Sequence, residues 1–202
     1  MNISLDSHLG NYIIPNDCEK KILVDIGANT GNFTVSQINN FEVIHFYEPY
    51  LPCFEIVKQR VSGNENVSGF NEAVYSKDGV ELSMVAHDNH DAGSNGLKTD
   101  SLNGDWVEEI CKVTTVSLDT ILSRVGGRIN YLKIDCETSE YYFFMDKNLN
   151  DIDYIAIELH WQMGKEKYEK LISFIKETHN CNSNLIWENG INKEVLFINK
   201  KI

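Results

Sequence analysis

The sequence lacks the features of a membrane-inserted or disulfide-stabilised protein. None of its apolar runs approaches the roughly 20 residues that a membrane-spanning helix requires. The N-terminus shows no basic segment followed by an apolar core and a cleavage site, so we expect no secretory signal. The five cysteines are odd in number and show no C-x-x-C spacing, which argues against a disulfide framework or a zinc site. We therefore expect reduced thiols, no membrane insertion and a cytoplasmic protein.

Positive charge is also scarce. The chain carries 18 Lys and Arg residues against 30 Asp and Glu residues, for a net charge of −12. A field of that sign does not attract phosphate backbones, and no basic run interleaves with aromatic residues, so we expect no nucleic-acid partner. The hydrophobic content of 42% over 202 residues is ordinary for a globular protein. We expect one domain over residues 1–202, with residues 1–20 as an N-terminal lead-in.

Two phosphate-binding motifs are absent from the stretch around which the chain is organised, residues 22–34. Its apolar start predicts a strand buried on both faces, and the turn that follows contains Gly27 and Gly31. The turn lacks the third glycine of G-x-G-x-x-G, and no Gly-Lys-Ser/Thr follows, which excludes a dinucleotide fingerprint and a Walker loop. The pattern D-x-G-x-x-x-G, beginning at Asp25, resembles motif I of class I S-adenosylmethionine (SAM)-dependent methyltransferases. The alternative is an ordinary strand, turn and helix with glycines at the bend.

An acidic residue ends the second predicted strand, which covers residues 43–47. Glu48 lies 23 positions after the aspartate of the glycine motif, and Pro49 then stops the strand. A carboxylate at that distance can accept hydrogen bonds from the two hydroxyls of a ribose. We therefore predict a ribose contact at Glu48, the alternative being a surface carboxylate at a strand end. Asn71 follows the third predicted strand, where an amide can meet an adenine amino group.

More carboxylates follow a later buried strand. Asp135 ends the strand over residues 131–134, and Glu137 and Glu140 follow it on a turn. Three carboxylates so close together can bind a cation, accept a proton or hold an amino group. Capping of a helix N-terminus is the alternative, and it explains Glu140 well but Asp135 poorly, because Asp135 is still on the strand.

A glutamate and a histidine end the next predicted strand, which starts at Tyr154. Glu158 and His160 are two positions apart, so both side chains point to the same side of a strand. A lone histidine is usually structural, but ligands of open α/β sheets bind at the carboxyl ends of the strands, where Asp135 also lies. Because histidine is the natural general base near neutral pH, we predict that Asp135, Glu158 and His160 are catalytic.

The remaining pattern completes an α/β chain. Helices are expected over residues 32–39, 51–61, 118–125 and 165–176, and further strands over residues 66–70, 80–85, 111–117, 184–188 and 195–198. The last two strands are joined through Asn189-Gly190, a strong hairpin signal. Earlier in the chain, residues 87–105 are polar, rich in glycine and without periodicity, so we expect them to form a long loop. His87, Asp88, His90 and Asp91 in this loop are ligand types that a metal site would need, but their spacing matches no known metal motif, so a solvated lid is the favoured interpretation.

Taken in order, these motifs resemble the FkbM family of SAM-dependent methyltransferases over residues 22 to about 161. The matching segments are Val24–Gly31, Phe46–Pro49, Asn71–Val74, Gly93–Asn95, Val116–Asp119, Leu132–Glu137 with Glu140, and Ile157–His160. The resemblance implies a Rossmann-like, seven-stranded, mostly parallel sheet with a C-terminal antiparallel hairpin and helices on both faces. It also implies methylation of hydroxyl groups, often on sugars or polyketide-like acceptors.

The resemblance further implies a role for each matching residue. The methionine part of SAM would contact Asp25, Gly27, Ala28, Asn29 and Gly31. The ribose and adenine would be bordered by Glu48, Pro49, Asn71 and Ala73, with Ser94 and Asn95 closing over the cofactor. Asp135, Glu158 and His160 would face the transferred methyl group and the acceptor. The family typically has Gly-Ala where this chain has Thr138-Ser139, which leaves the tightness of that turn open.

We therefore predict a SAM-dependent O-methyltransferase that acts on a hydroxyl of a sugar or glycan and releases S-adenosylhomocysteine (SAH). His160 or Asp135 is the expected proton acceptor, with Glu158 orienting the histidine or the acceptor. A divalent ion at Asp135 stays an uncommitted alternative. Three other functions stay open: methylation of a non-sugar small molecule, nicotinamide-dependent oxidoreduction, which the missing third glycine disfavours, and a non-catalytic binding module. Neither the acceptor nor the oligomeric state follows from the sequence.

Overall fold

The computed structural model describes residues 12–87, 95–100, 106–182 and 192–202. The strands of these residues are β1 Ile22–Ile26, β2 Val43–Tyr47, β3 Val67–Phe70, β4 Ala73–Val74, β5 Glu81–His87, β6 Gly96–Leu97, β7 Trp106–Val116, β8 Ile129–Ile134, β9 Ile152–Leu159, β10 His179–Cys181 and β11 Lys193–Asn199. The α-helices are α1 Asn32–Gln37, α2 Leu51–Arg60, α3 Leu118–Arg124, α4 Glu140–Phe144 and α5 Lys165–Thr178. A 3-10 turn, Trp161–Met163, precedes α5.

Seven strands form the central sheet, in the order β10-β11-β9-β8-β1-β2-β3. The five strands from β9 to β3 run parallel, and β11 is antiparallel to both β9 and β10. The predicted mostly parallel sheet with a C-terminal antiparallel pair is therefore confirmed. Because parallel strands end at the same edge, the residues that follow β1, β2, β8 and β9 meet there.

Helices cover both faces of this sheet, because successive residues of its parallel strands point into different cores. Val24 and Leu132 face one core, where they pack with Leu171 of α5. Leu23 and Tyr131 face the other core, with Phe33 of α1. Burial on both faces explains why the strands read as nearly continuous apolar runs.

A second, four-stranded sheet follows β3, in the order β4-β7-β5-β6. β7 is parallel to β4 and antiparallel to β5, which also pairs antiparallel with β6. Its own small core contains Ala73, Met84, Leu97 and Val113. The strands predicted over residues 80–85 and 111–117 are confirmed, but their separation into a second sheet was not predicted.

The other predicted helices begin at or close to the residues where the structure has them begin. Helices α1, α2, α3 and α5 begin at the predicted residues, and Ser117 caps α3 by accepting a hydrogen bond from the Thr120 N–H (3.4 Å). The strand paired with β11 at the sheet edge begins at His179, whereas the predicted strand over residues 184–188 and its Asn189-Gly190 turn lie outside the described residues. Among the described residues, no helix is long and apolar enough to cross a membrane.

Candidate active site

The turn after β1 brings the chain against the end of β8. Gly27 has φ of +71°, and a Cβ at this position would lie only 1.7 Å from the carbonyl oxygen of Asp135. Gly31 has φ of +85°, and a Cβ there would lie 2.8 Å from the side chain of Val57 in α2. Both positions therefore require glycine, for different reasons. Gly27 lets two strand ends approach each other, and Gly31 packs the turn on α2 instead of contacting ligand space.

Asp25 lies beneath this turn. Its side chain is fully buried, Oδ2 accepts a hydrogen bond from Thr34 Oγ1 (2.5 Å), and Oδ1 lies 3.2 Å from Lys133 Nζ. Asp25 and Lys133 are partners across β1 and β8, and Lys133 also donates to the carbonyl oxygen of Gly27 (2.7 Å). The expected direct contact of the Asp25 carboxylate with the cofactor is therefore corrected. Asp25 instead pairs with Lys133, which in turn donates a hydrogen bond to the glycine turn.

Glu48 follows β2 at the same edge and is held by the backbone. Its Oε2 accepts a hydrogen bond from the Asn29 N–H, and its Oε1 accepts one from the Tyr50 N–H, both at 2.8 Å. Burial raises the pKa of Glu48 to about 7, although these two hydrogen bonds act in the opposite direction. Each carboxylate oxygen keeps a lone pair for a further donor. The geometry thus fits the predicted ribose contact.

A cleft, here called the cofactor cleft, opens between this edge and the second sheet. Met84 of β5 and Leu97 of β6 give this cleft apolar lining, and Glu48 lines the same cleft. The predicted cofactor-binding residues that line the cleft are Gly27, Asn29, Glu48, Pro49, Ala73, Asn95 and Asp135. An apolar lining with a few fixed polar groups suits a nucleoside, so the residues present fit the cofactor that motif I implies.

Other predicted cofactor residues do not line the cleft. Ala28 is buried in a core with Phe46. The Asn71 amide donates to the carbonyl oxygens of Glu48 (2.8 Å) and Pro49 (2.9 Å), so its NH2 group holds the end of β2, and its contact with the adenine amino group stays a prediction. Ser94 lies outside the described residues.

At the ends of β8 and β9, four carboxylates surround His160. We call Asp135, Glu137, Glu140, Glu158 and His160 the His160 cluster. The imidazole is fully buried, and its Nδ1 lies 2.9 Å from Glu140 Oε1. Its Nε2 lies 3.4 Å from Glu137 Oε2, 3.7 Å from Asp135 Oδ1 and 3.8 Å from Glu158 Oε1. The structure thus brings together the three side chains that the sequence predicted to be catalytic.

Negative charge dominates the cluster. Burial lowers the pKa of His160, but the carboxylates of Glu137 and Glu140 outweigh it and hold this pKa well above its ordinary value. Burial also raises the pKa of Glu158 to about 7, with Asp135 adding to the rise and His160 opposing it. The general-base role predicted for His160 stays a prediction.

The turn that carries Glu137 is left-handed at two successive non-glycine residues. Glu137 has φ of +49° and Thr138 has φ of +77°. Thr138 is fully buried, and its Oγ1 has no hydrogen-bond partner among the described residues. The chain therefore keeps the tight turn without glycine, at roughly 1–2 kcal/mol for each left-handed residue.

A second cavity opens beside Glu158. Its lining includes Glu158 of β9, Glu194 of β11 and Tyr12 from the N-terminal segment. The Tyr12 hydroxyl donates a hydrogen bond to Asp135 Oδ2 (3.2 Å). Because Asp135 and Glu137 line the cofactor cleft while Glu158 lines the second cavity, the His160 cluster stands between the two.

Sequence reasoning missed two residues of this region. Lys133 could have been found, because a lysine inside the apolar run of β8 and two positions before Asp135 has to meet buried negative charge. Tyr12 could not, since it lies in a polar segment without periodicity. Cys136 lines the cofactor cleft, and burial raises the pKa of its thiol, which agrees with an inert cysteine.

Of the loop residues considered as metal ligands, Asp88, His90 and Asp91 lie outside the described residues, and His87 is the last residue of β5. The loop therefore stays a prediction, both as a lid and as a solvated segment. The acidic groups that the structure does bring together with a histidine are those of the His160 cluster.

The chain resembles known proteins both in sequence pattern and in fold. A family profile described as the methyltransferase FkbM domain matches residues 25–185. A search of curated protein sequences found no significant match. An rRNA methylase from Streptococcus thermophilus has 11% identity and a TM-score of 0.51, over 89% of this chain and 87% of that one. A putative methyltransferase from Streptococcus mutans in complex with SAH has 12% identity and a TM-score of 0.50, over 88% of each chain.

A fibrillarin pre-rRNA processing protein from Methanococcus jannaschii has 10% identity and a TM-score of 0.55, over 93% of this chain and 70% of that one. At such identities the likeness shows the Rossmann-like fold and not the acceptor. The family match covers well over half of the chain, and the cofactor is SAM. The chain therefore belongs to the FkbM family and is a SAM-dependent methyltransferase of the class I superfamily.

Proposed function

We propose that this methyltransferase, as one domain, transfers the methyl group of SAM to a hydroxyl of a sugar or glycan. The observation that carries the proposal is the position of the His160 cluster between the cofactor cleft and the second cavity. A methyl donor in the cleft and an acceptor in the cavity would meet at these side chains. In-line transfer needs that arrangement, with the two reactants held on opposite sides of the moving carbon.

Three residues of the cleft would hold the cofactor. Glu48, fixed by two backbone N–H groups, would accept hydrogen bonds from the ribose hydroxyls. Met84 and Leu97 would pack on the adenine. Bound SAM would supply an electrophilic methyl group on a sulfonium, placed by these contacts toward Asp135.

The chain's own residues would then orient the acceptor and take its proton. In the transfer, a bond forms between the hydroxyl oxygen and the methyl carbon, the bond from that carbon to sulfur breaks, and the hydroxyl proton leaves. Asp135 and Glu158 are the cluster members with most access, with side chains 30% and 24% exposed. We assign the proton to one of these two carboxylates, because the imidazole of His160 is fully buried behind them.

The chemistry of the second cavity favours a neutral, hydroxyl-rich acceptor. Glu158 and Glu194 are opposite each other on β9 and β11, and both line the cavity. Carboxylates accept hydrogen bonds from hydroxyls but repel phosphates and other anions. Some structural relatives are named as RNA methylases, but identities of 10–12% transfer only the fold. The net charge of −12 adds to the argument against an RNA acceptor.

The first test is calorimetric titration of the chain with SAM and with SAH. The second is transfer of tritiated methyl groups to three acceptor panels: mono- and oligosaccharides, non-sugar alcohols, and RNA. We expect binding of both cofactor forms and label only in the saccharide panel. Glu158→Gln should slow transfer at least 100-fold, whereas Glu81→Gln, an exposed carboxylate at the start of β5, should not.

Each other outcome would overturn a defined part of the proposal. Absence of SAM and SAH binding to folded chain would remove the enzyme altogether. Label confined to non-sugar alcohols would replace the sugar with a small-molecule acceptor, and label in RNA would contradict the charge argument. A Glu158→Gln variant with unchanged turnover would assign the proton to Asp135.

A further inference from the structure

We propose that Asp135, Glu137, Glu158 and His160 bind one divalent cation of the Mg²⁺ and Mn²⁺ class between the two cavities. The ligand atoms of Asp135, Glu137 and His160 all lie within 4.8 Å of one another. Glu158 Oε1 lies 3.8 Å from His160 Nε2. The binding of the ion is independent of the acceptor, but its role in catalysis rests on the proposed function.

The first argument is the unpaired nitrogen of His160. Nε2 is buried and makes no hydrogen bond to any described residue, yet it is aimed at the carboxylates of the cluster. Its distances to Glu137, Asp135 and Glu158 oxygens are 3.4, 3.7 and 3.8 Å. Two ligands of one octahedral ion, with bonds of about 2.1 Å, lie about 3 to 4.2 Å apart. The spacing is therefore too long for hydrogen bonds of ideal geometry and suitable for a shared ion.

The second argument is the way in which His160 is held. The Nδ1 side faces Glu140, whose Oε1 is 2.9 Å away and also accepts a hydrogen bond from the Cys136 N–H (3.2 Å). Glu140 is fully buried. A carboxylate on one imidazole nitrogen fixes the ring and its tautomer, and it leaves the other nitrogen free to coordinate a metal.

The third argument is charge. Of the five carboxylates of Asp25 and the cluster, two lie within 4 Å of Lys133 Nζ, and the four of the cluster lie within 4 Å of the ring nitrogens of His160. Lys133 Nζ lies 3.2 Å from Asp25 Oδ1 but 3.9 Å from Asp135 Oδ2, so its charge mainly offsets that of Asp25 on β1. An excess of negative charge in a partly buried site requires positive charge nearby. A divalent ion supplies two positive charges at one point.

The mixture of donors points to the class of ion. Three carboxylates with one imidazole give a mainly oxygen site, which suits Mg²⁺ and Mn²⁺ better than a tetrahedral zinc site. The ion would adjoin both cavities, because Asp135 and Glu137 line the cleft and Glu158 lines the second cavity. There it could bind two adjacent hydroxyls of the acceptor and lower the pKa of the one that is methylated. The acceptor class thus narrows to sugars with neighbouring free hydroxyls.

The test is titration of chelator-treated chain with Mn²⁺, followed by electron paramagnetic resonance, with SAH binding measured on the same sample. We expect one Mn²⁺ per chain, displaced by excess Mg²⁺, and an electron-spin-echo modulation from an imidazole nitrogen. Glu137→Gln and His160→Gln should each weaken Mn²⁺ binding at least tenfold, and His160→Gln should abolish the nitrogen modulation. Glu140→Gln, which changes the partner of Nδ1 without removing a proposed ion ligand, should weaken binding about tenfold.

The matched control is Glu55→Gln on α2, a carboxylate that is 56% exposed, which should leave Mn²⁺ binding unchanged. Thermal melts show whether each variant folds, and Glu137→Gln keeps the test open should His160→Gln unfold. A wild-type chain that binds SAH but takes up no Mn²⁺ would overturn the ion and leave the methyltransferase intact. Equal Mn²⁺ affinity in wild type, Glu137→Gln and His160→Gln would place the ion elsewhere. Mn²⁺ binding without SAH binding would instead contradict the proposed function alone.

Discussion

At the ends of β1 and β2, Asp25 and Glu48 each meet donors supplied by the surrounding chain. Thr34 and Lys133 contact Asp25, and two backbone N–H groups bind Glu48. At the ends of β8 and β9, by contrast, four carboxylates converge on the single imidazole of His160. The chain thus supplies separate donors to each carboxylate of the first region, whereas the carboxylates of the second region share one imidazole.

The turns of the two regions also differ, in the strain of their backbone conformations. In the first region Gly27 and Gly31 adopt left-handed backbone conformations that glycine reaches without strain, and Asn29 adopts one with φ of +51°, which asparagine tolerates better than most residues. In the second region Glu137 and Thr138 adopt such conformations with full side chains. Uncompensated charge and backbone strain tend to collect where a protein performs chemistry, whereas a binding platform can be relaxed. We infer that the β1 and β2 end holds the cofactor and that the β8 and β9 end carries the reaction.

The largest expected effect comes from Lys133, whose Nζ lies 3.2 Å from Asp25 and 3.9 Å from Asp135 and so adjoins both regions. Lys133→Met should lower the free energy of unfolding by about 3–5 kcal/mol, because it leaves the buried carboxylate of Asp25 without its cation. Urea unfolding measures this loss. Adding Asp25→Asn to the same chain should recover a large part of it, since the unpaired charge is then also removed.

Lys112 of β7 is the control for this change. Its side chain is 52% exposed and pairs with Glu109 at 3.2 Å, so Lys112→Met should alter the free energy of unfolding by less than about 1 kcal/mol. If Lys133→Met lowered the free energy of unfolding by no more than Lys112→Met does, Asp25 would not depend on Lys133 as its cation. The two regions would then not be linked through this lysine.

The next effect is a pH dependence from Glu48, whose pKa is raised from 4.5 to about 7, mainly by burial. The folded chain then binds more protons than the unfolded chain between these two values. Its contribution to stability is therefore full below pH 4.5 and is lost as the pH rises through about 7. The loss is at most about 3 kcal/mol. Urea unfolding of cofactor-free chain at several pH values measures it, and Glu48→Gln should remove this part of the slope; an unchanged slope would contradict it.

Glu48 also allows the cofactor platform to be tested without disturbing the second region. Glu48→Ala should weaken SAH binding by about 10- to 100-fold, since charge-assisted hydrogen bonds contribute about 1.5–3 kcal/mol. Calorimetry measures the affinity. Glu42→Gln, an exposed carboxylate just before the opposite end of β2, is the matched control and should bind SAH normally. Normal SAH binding by Glu48→Ala would remove the ribose assignment.

The contrast between the two regions also explains what the sequence could predict. The parallel strands β1, β2, β8 and β9 were readable because they are largely buried on both faces and end in a glycine turn or a carboxylate. Asp135, Glu158 and His160 were found together because strand ends share one edge of the sheet. These features are local in sequence, and the topology of an α/β fold converts them into positions in space.

What could not be predicted depends on contacts between distant segments. Asp25 keeps its place in motif I, but its partner is set by the register that places Lys133 opposite it on β8. Tyr12 reaches Asp135 across 123 positions of sequence. The second sheet separates from the first because β7 pairs with β4 and β5 and not with the central strands. Pattern within a window does not determine such pairings.

The smallest expected effect tests the strain of the second region. The sequence left open whether Thr138 would keep a tight turn, and the structure shows that it does, with φ of +77° and a buried Oγ1 that lacks a partner among the described residues. Thr138→Gly should relieve both penalties while adding unfolded-chain entropy, so we expect a net gain of about 1 kcal/mol in the free energy of unfolding. Gly63 has φ of +87° with no atom within 4 Å of its added Cβ, so Gly63→Thr measures the cost of threonine in this conformation alone.

If strain aims Glu137 at His160, the more stable Thr138→Gly variant should also bind Mn²⁺ a few-fold more weakly, because a glycine turn holds the carboxylate less firmly. Stability and ion affinity would then change in opposite directions at one residue. A variant that loses stability would show that the threonine packs favourably in the core, and that the strained turn costs less than its replacement. A variant that gains stability with unchanged Mn²⁺ affinity would instead separate the strain from the ion, so that the left-handed turn would be a feature of packing and not of the reaction.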